Sequence, residues 1–475
     1  MKFKDIYEGS PEKFADIKVE SVQCDSRKVT KGTVFVCIKG AALDGHKYAE
    51  SAYKNGAAVI VCEHDIGLDN QLIVEDSREA YSSMCANYFG NPAKSLKLIG
   101  ITGTSGKTTT TYMIRSMLER LGHKTGLIGT IQNIVGDDVL PAKNTTPDAY
   151  ELHSLFSLML KAGCEYVVME VSSHALDQKR VWGLEFECAV FTNLTQDHLD
   201  YHITMENYLN AKLLLFKMCK TAVINLDDEY SDRFINGCDC KKITYSAKDG
   251  SADYYAENIK YSAGGVAYDL CCGGKRKDIN VAIPGSFTVY NSMAAGVSML
   301  ACGFDFDKTT DLLSGVEGVK GRVEVVPGGD GYTMIIDYAH TPDELENVIK
   351  MLNGIKTGRM VTLFGCGGDR DRTKRPIMGE IAARLSDFVI VTSDNPRSEN
   401  PEKIIEDILA GMKNTDTPYI VIENRAEAIE YAVKNAKPDD IVLFAGKGHE
   451  TYQILPTGTI HFDEREVIAA ALADK

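Results

Sequence analysis

Apolar residues recur along this chain in two rhythms, and the rhythms divide it. Residues 33–38, 57–62 and 72–74 are short runs rich in β-branched residues, which predict strands, with a helix over 46–55 closed by Gly56. Residues 96–99 read as a short buried strand. Met113, Ile114, Met117, Leu118 and Leu121 then repeat at helical spacing as far as a stop at Gly122. A helix near 149–161, strands at 165–170 and 189–192, and a helix from about Met205 follow. Residues 241–284 hold Gly-interrupted strand-like pieces, expected to form a β insertion packed on the preceding sheet, and small residues over 293–302 predict another helix. Beyond 333 the pattern is regular. Strands at 333–337, 360–364, 388–392, 419–422 and 441–445 alternate with helices near 343–352, 376–385, 401–412 and 426–436. Such alternation implies a parallel sheet with helices on both faces.

The fold class is therefore α/β. A length of 475 residues suggests about three domains at ~150 residues each. The expected boundaries are 1–94, 95–320 and 321–475. Hydrophobic content of 44% and charged content of 25% are those of a soluble globular protein. A net charge of −15 argues against a nucleic-acid or membrane-surface binder. The first residues carry no apolar secretory segment and no run is long enough to span a bilayer, so a cytoplasmic monomer is expected, without membrane insertion. The 13 cysteines lack zinc-site spacing and read as reduced thiols.

Candidate chemistry centres on Gly103-Thr-Ser-Gly-Lys-Thr-Thr109, between a strand and a helix. Glycines there let backbone N–H groups approach phosphate, Lys107 supplies positive charge, and the Thr108 hydroxyl can reach a magnesium ion. Ile101 stands where the strict pattern G-x-x-x-x-G-K-[ST] has its first glycine. Glu170 ends a buried strand, on the ligand side of an open α/β sheet, and is a second oxygen donor. His198 lies just past a strand tip, and Lys212 sits in an apolar helical run. A buried lysine has a lowered pKa and can react with carbon dioxide, giving an anionic carbamate. Asp25-Ser26-Arg27 reads as a polar loop, either a ligand contact or an ordinary capped turn. In the last third, polar clusters follow four strand ends and converge on one edge of the sheet: Asp337-Tyr-Ala-His340, Gly365-Cys-Gly-Gly-Asp-Arg-Asp371, Ser393-Asp-Asn-Pro-Arg397 and Gly446-Lys-Gly-His-Glu450.

With Asn144-Thr-Thr-Pro147, Glu170-Val-Ser-Ser-His174, Asn193-Leu-Thr-Gln-Asp-His198, Ala211-Lys212, Tyr290-Asn291 and Gly321-Arg322 added in order, the chain resembles the Mur ligases. These are ATP-dependent amide-forming enzymes that build the peptide of the bacterial cell wall, and so serve cell shape and division. The resemblance implies three domains: a UDP-substrate-binding one, a central P-loop ATPase-like parallel sheet with a β insertion, and a Rossmann-like amino-acid-binding one. It implies ATP on Gly103, Thr104, Ser105, Gly106, Lys107, Thr108, Thr109, Asn291, Arg322 and Asp337, and the uridine substrate on Ser26, Thr145, Thr146, Ser172, Gln178 and Arg180. Magnesium falls to Thr108, Glu170, His198 and carbamylated Lys212, and catalysis to Lys107, Glu170, His198 and Lys212. Within the family the chain is most similar to the branch that adds meso-diaminopimelate to UDP-N-acetylmuramoyl-L-alanyl-D-glutamate. That match assigns Arg370, Asp394, Asn395, Pro396, Arg397, Gly446 and Glu450 to the amino acid. Ser105 and Thr288 stand where the family has asparagine.

Three other readings compete. A nucleotide-driven switch lacks its expected Asn-Lys-x-Asp pattern here and leaves the last third unexplained. A folate polyglutamate ligase has no reason for the Asp25-Ser26-Arg27 unit. An L-lysine-adding relative shares the chemistry and differs in the amino-acid pocket.

Overall fold

The computed structural model describes residues 1–40, 43–316, 318–328 and 331–474; the final position of the expected 321–475 unit lies outside them. The chain forms two compact units, one of Met1–Tyr255 with Met293–Thr309 and one of Ala256–Ser292 with Thr310–Lys475. Among the described residues no helix is long and apolar enough to cross a membrane.

The first unit opens with a parallel sheet of Ser21–Gln23, Thr33–Val36, Val59–Cys62 and Gln71–Ile73, paired in chain order. Its two middle strands are buried throughout, as their β-branched runs require. The helix expected over 46–55 is instead a 3-10 turn, Gly45–Tyr48, followed by the short helix Ala49–Lys54. The Asp44 carboxylate accepts the His46 N–H and tightens the first turn. Helix Ser77–Tyr88 has no counterpart in the sequence reading. It starts where Asp76 accepts the N–H groups of Arg78 and Glu79, and it buries Ala80, Tyr81, Met84 and Cys85.

The second sheet of this unit runs Lys241–Ser246, Cys219–Asn225, Phe186–Phe191, Lys97–Thr102, Tyr166–Glu170 and Thr125–Ile128, all parallel, and closes with antiparallel Gln132–Val135 and Asp138–Pro141. The strand leading into the glycine-rich loop is thus central, between the strands ending at Phe191 and Glu170. Residues 241–246, expected in the β insertion, form a parallel strand of this sheet, because the chain returns through helix Ser231–Asn236 as a β-α-β crossover. Tyr254 and Tyr255 continue the pairing beside Tyr245 and Ser246.

In the second unit Gly265–Cys272 and Lys275–Val281 form an antiparallel pair. A six-stranded sheet runs Glu324–Val326, Thr333–Asp337, Ile441–Ala445, Met360–Phe364, Phe388–Val391 and Tyr419–Val421, parallel except for its first strand. All five expected strands are present, with helices Pro342–Asn353, Lys374–Leu385, Pro401–Met412 and Arg425–Asn435 between them. The hairpin Tyr452–Leu455 with Gly458–His461 and the helix Glu464–Ala473 complete it.

Helices Lys374–Leu385 and Pro401–Met412 meet through glycines: a Cβ on Gly379 would lie 2.2 Å from the Ile408 carbonyl oxygen, and one on Gly411 1.8 Å from that of Pro376. Gly379→Ala should therefore force the pair apart and cost about 1–3 kcal/mol of stability, although alanine is the better helix former. Urea unfolding checks this; an unchanged or raised midpoint would contradict the packing.

Candidate active site

The glycine-rich loop starts after Thr102. Ile101 is fully buried in the strand and paired with Glu170, so a glycine is not needed there. Gly103 has φ +153°, and a Cβ on it would fall 1.9 Å from Thr192 Oγ1, so only glycine fits. Gly106, at φ 85°, precedes helix Lys107–Arg120, whose first-turn N–H groups, with Thr109 among them, form an anion site. The loop is stitched down: the Ser105 N–H donates to Asn193 Oδ1 (2.9 Å), and the Ser105 carbonyl accepts from Thr192 Oγ1 (2.7 Å). Thr104 accepts the Thr195 N–H at 3.0 Å.

Two lysines meet on one carbonyl. Lys107 Nζ donates to the oxygens of Gly103 (2.9 Å) and Thr104 (2.7 Å), and Lys212 Nζ donates to that of Gly103 at 2.9 Å. Lys212 is buried on helix Met205–Phe216 with its Nζ 4.5 Å from the Tyr208 ring centroid. Burial first, and then the charge of Lys107, hold its pKa well below the usual lysine value.

Glu170, also buried, accepts the Thr108 hydroxyl (3.0 Å) and the Thr130 N–H (2.9 Å) on Oε1 and the Thr130 hydroxyl (3.0 Å) on Oε2. Thr108 and Glu170 are thus adjacent hard oxygen donors beside the phosphate loop, which fits a magnesium ion. His198 is arranged differently. Its backbone is left-handed (φ 53°), its ring packs edge-on against His174 at 4.8 Å, and Nε2 lies 3.4 Å from Asp197 Oδ2. Among the described residues no cluster of three His, Cys, Asp or Glu side chains is set to hold a metal. The oxygen pair fits the ion; Lys212 as a free amine does not.

Thr130 Oγ1, donating to Glu170, accepts the Thr145 hydroxyl (3.0 Å), and this link leads towards a cavity of about 610 Å³ in the same unit. Ser26, Gln178 and Arg180 line it, with Arg78, Asn144 and Tyr201. Ser26 opens a 3-10 turn capped by Asp25, the ordinary turn that the sequence allows, and that turn lines the cavity. Gln178 Oε1 accepts from Arg180 Nη2 (2.7 Å), Arg180 Nη1 donates to the Thr146 carbonyl (2.7 Å), and Thr146 Oγ1 accepts the Ser172 N–H (3.0 Å).

In the second unit the four polar clusters meet at a cavity of about 220 Å³ lined by His340, Arg370, Asp394, Asn395, Arg397, Gly446 and Glu450, among others. Asp394 Oδ2 is buried without a hydrogen-bond partner among the described residues. Arg397 has a left-handed backbone (φ 52°) fixed by its N–H to the Ile454 carbonyl (3.0 Å), and its Nη1 donates to the Gly368 carbonyl at 2.8 Å. A Cβ on Gly368 would sit 1.9 Å from the Pro396 carbonyl oxygen, so Pro396 shapes the loop and Arg397 faces the cavity. Elsewhere in this unit Asn291 is buried, and Arg322 lies over the Tyr338 ring at 5.2 Å. Asp337 is spent on the backbone, accepting the N–H groups of Val323 and Ala339 at 2.8 Å each. Thr288 is buried with its hydroxyl on the Pro284 carbonyl (3.2 Å).

Residues 18–87, 101–299 and 321–448 match the profiles described as "Mur ligase family, catalytic domain", "Mur ligase middle domain" and "Mur ligase, glutamate ligase domain". The chain is 49% identical over 459 residues to UDP-N-acetylmuramoyl-L-alanyl-D-glutamate--2,6-diaminopimelate ligase 1 of Clostridium acetobutylicum, covering 96% of this chain and 95% of the relative. The chain belongs to the Mur ligase family. It is also 45% identical to the Geobacillus kaustophilus UDP-N-acetylmuramoyl-L-alanyl-D-glutamate--2,6-diaminopimelate ligase, over 96% of this chain and 95% of that one. A solved structure of a protein of that name aligns at TM-score 0.77 and 34% identity, covering 100% of this chain and 99% of the other.

Three residues that the sequence reading passed over stand at these places. Thr130 grips both oxygens of Glu170, and its only signal is that it follows the strand Thr125–Ile128 by one glycine. Arg78 and Tyr201 reach the larger cavity from helices whose own patterns are weak.

Proposed function

We propose that this Mur ligase joins meso-diaminopimelate to the D-glutamate of UDP-N-acetylmuramoyl-L-alanyl-D-glutamate at the expense of ATP, in cytoplasmic peptidoglycan precursor synthesis. One observation carries the choice of amino acid: the smaller cavity sets Arg370 and Arg397 against Asp394 and Glu450. A far end bearing both carboxylate and ammonium matches that pairing of charges. An L-lysine far end would leave the guanidinium groups without a partner.

The chemistry follows from the groups present. A carboxylate resists attack by an amine because its leaving group is poor, so its oxygen first takes the terminal phosphoryl of ATP, ADP departs, and an acyl phosphate results. The neutral amine adds to the acyl carbon, and collapse expels phosphate and leaves the amide. Lys107 leaves the loop carbonyls for the phosphates and offsets charge as it gathers there. Thr108 and Glu170 would hold magnesium, which supplies further neutralisation when bound. Lys212, whose pKa burial lowers, adds through its unprotonated nitrogen to carbon dioxide and loses a proton, and the resulting carbamate offers oxygens that the free amine lacks. Gly103–Thr109 takes the ATP phosphates, with Asn291, Arg322 and Asp337 as further nucleotide contacts, and His198 joins Thr108, Glu170 and Lys212 around the magnesium. Ser26, Thr145, Thr146, Ser172, Gln178 and Arg180 take the uridine substrate, and the domain division 1–94, 95–320 and 321–475 follows these three ligands. The protein acts as a monomer.

ADP release measured with each substrate omitted in turn tests this reading. Release is expected only with the uridine dipeptide and meso-diaminopimelate both present, and release with ATP alone would favour a nucleotide-driven switch. Arg180→Ala should raise KM for the uridine substrate about tenfold, the loss of one charge-assisted contact, and leave KM for ATP unchanged. A change in the ATP value instead would place Arg180 wrongly.

A further inference from the structure

Behind the wall of the smaller cavity lies Lys447, fully buried. Its Nζ donates to Glu450 Oε2 at 2.8 Å and to Asn395 Oδ1 at 3.1 Å, and Asn395 Nδ2 donates to the same Glu450 oxygen at 2.9 Å. The three side chains close a triangle. Asn395 Oδ1 also accepts the Ile454 N–H (2.9 Å), so two donors on one atom fix which way its amide points. Glu450 Oε2 is thereby filled from behind, and among the described residues Oε1 keeps only a 3.4 Å contact from the Tyr452 hydroxyl. Nearby Asp394 Oδ2 has no hydrogen-bond partner among the described residues and lies 4.0 Å from Nη1 of the buried Arg425.

We propose that Lys447 is a positioning residue for amino-acid selection: it holds Glu450 from behind and aims its free oxygen at the far ammonium of the incoming amino acid. This rests on the function proposed above. Lys447 touches no substrate. It acts through Glu450 and Asn395, so its removal should be felt only by substrates that carry the far ammonium.

The test compares meso-diaminopimelate with L-2-aminopimelate, which keeps the reacting amine and the far carboxylate and lacks the far ammonium. The full-length protein is assayed with ATP, magnesium and the uridine dipeptide. The wild type should prefer meso-diaminopimelate by about 100-fold in kcat/KM, and Lys447→Met should lower that value about 50-fold, mostly in KM, while moving the aminopimelate value less than about threefold. Glu450→Gln should show the same selective loss, and adding Lys447→Met to it should cost little more, because the two act as one unit. If thermal melting shows Lys447→Met unfolded, Lys447→Gln should give a loss of about tenfold confined to meso-diaminopimelate. Equal losses on both amino acids, or none, overturn the role of Lys447 and leave the proposed function standing. A wild type that does not turn over meso-diaminopimelate overturns both.

Discussion

Arg397→Ala should lower kcat/KM for meso-diaminopimelate by about 10³-fold, with binding of ATP and of the uridine substrate little changed. The guanidinium lines the smaller cavity, and one of its nitrogens is already held by the Gly368 carbonyl, which fixes the plane of the fork. A fork so held meets a carboxylate through two parallel bonds that an ammonium cannot copy. Presented with L-lysine, the same group stays unpaired in a partly desolvated pocket, at a cost of several kcal/mol. The wild type should therefore barely use L-lysine. Steady-state kinetics with both amino acids, and calorimetry for the other two ligands, check this. Comparable efficiency with L-lysine in the wild type, or unaltered diaminopimelate kinetics in the variant, would sink the assignment.

Lys212→Ala should cut amide formation by about 10³-fold while the fold survives. The side chain is buried against Tyr208 and the Gly103 carbonyl, so alanine removes a buried amine and leaves no charge stranded. Short carboxylates added to the variant should restore part of the rate, since they bring the oxygens a carbamate would have offered. Thermal melting separates loss of fold from loss of chemistry. Full activity in the alanine variant ends the carbamate idea.

The phosphate loop was legible because strand, glycines, Lys-Thr and helix follow one another within a few residues, and local order carries the whole motif. The regular third was legible for a related reason: strands such as Ile441–Ala445 are buried on both faces and so are apolar throughout. Helix Ser77–Tyr88 was not, because tertiary packing of Tyr81, Met84 and Cys85 decides it and its remaining positions are polar or small. Residues 241–246 were misread because Gly-rich hairpins follow them, and nothing local says which neighbour a strand will pair with. At the sites, sequence placed side chains on loops and left their partners unknown. Thr108 and Glu170 do meet, across 62 positions of chain, and Asp337 accepts the N–H groups of Val323 and Ala339, partners that no local pattern names. Lys447 was visible only as a letter between two glycines; its burial is a property of the folded sheet edge.

On the role proposed for Arg397, the loop that presents it also limits how the choice of amino acid can change over generations. Gly368 cannot acquire any side chain without striking the Pro396 carbonyl, a Cβ on Gly367 would press on Arg397 Nη1 at 2.9 Å, and a β-branched residue at 397 would be strained at φ 52°. Reshaping the loop is blocked at Gly368, and a side chain at 367 fits only by displacing the guanidinium. Drift in selectivity is therefore channelled through side-chain exchange at 397 itself, where asparagine and glycine sit most easily, and a descendant with a new preference should keep this backbone path while losing the guanidinium.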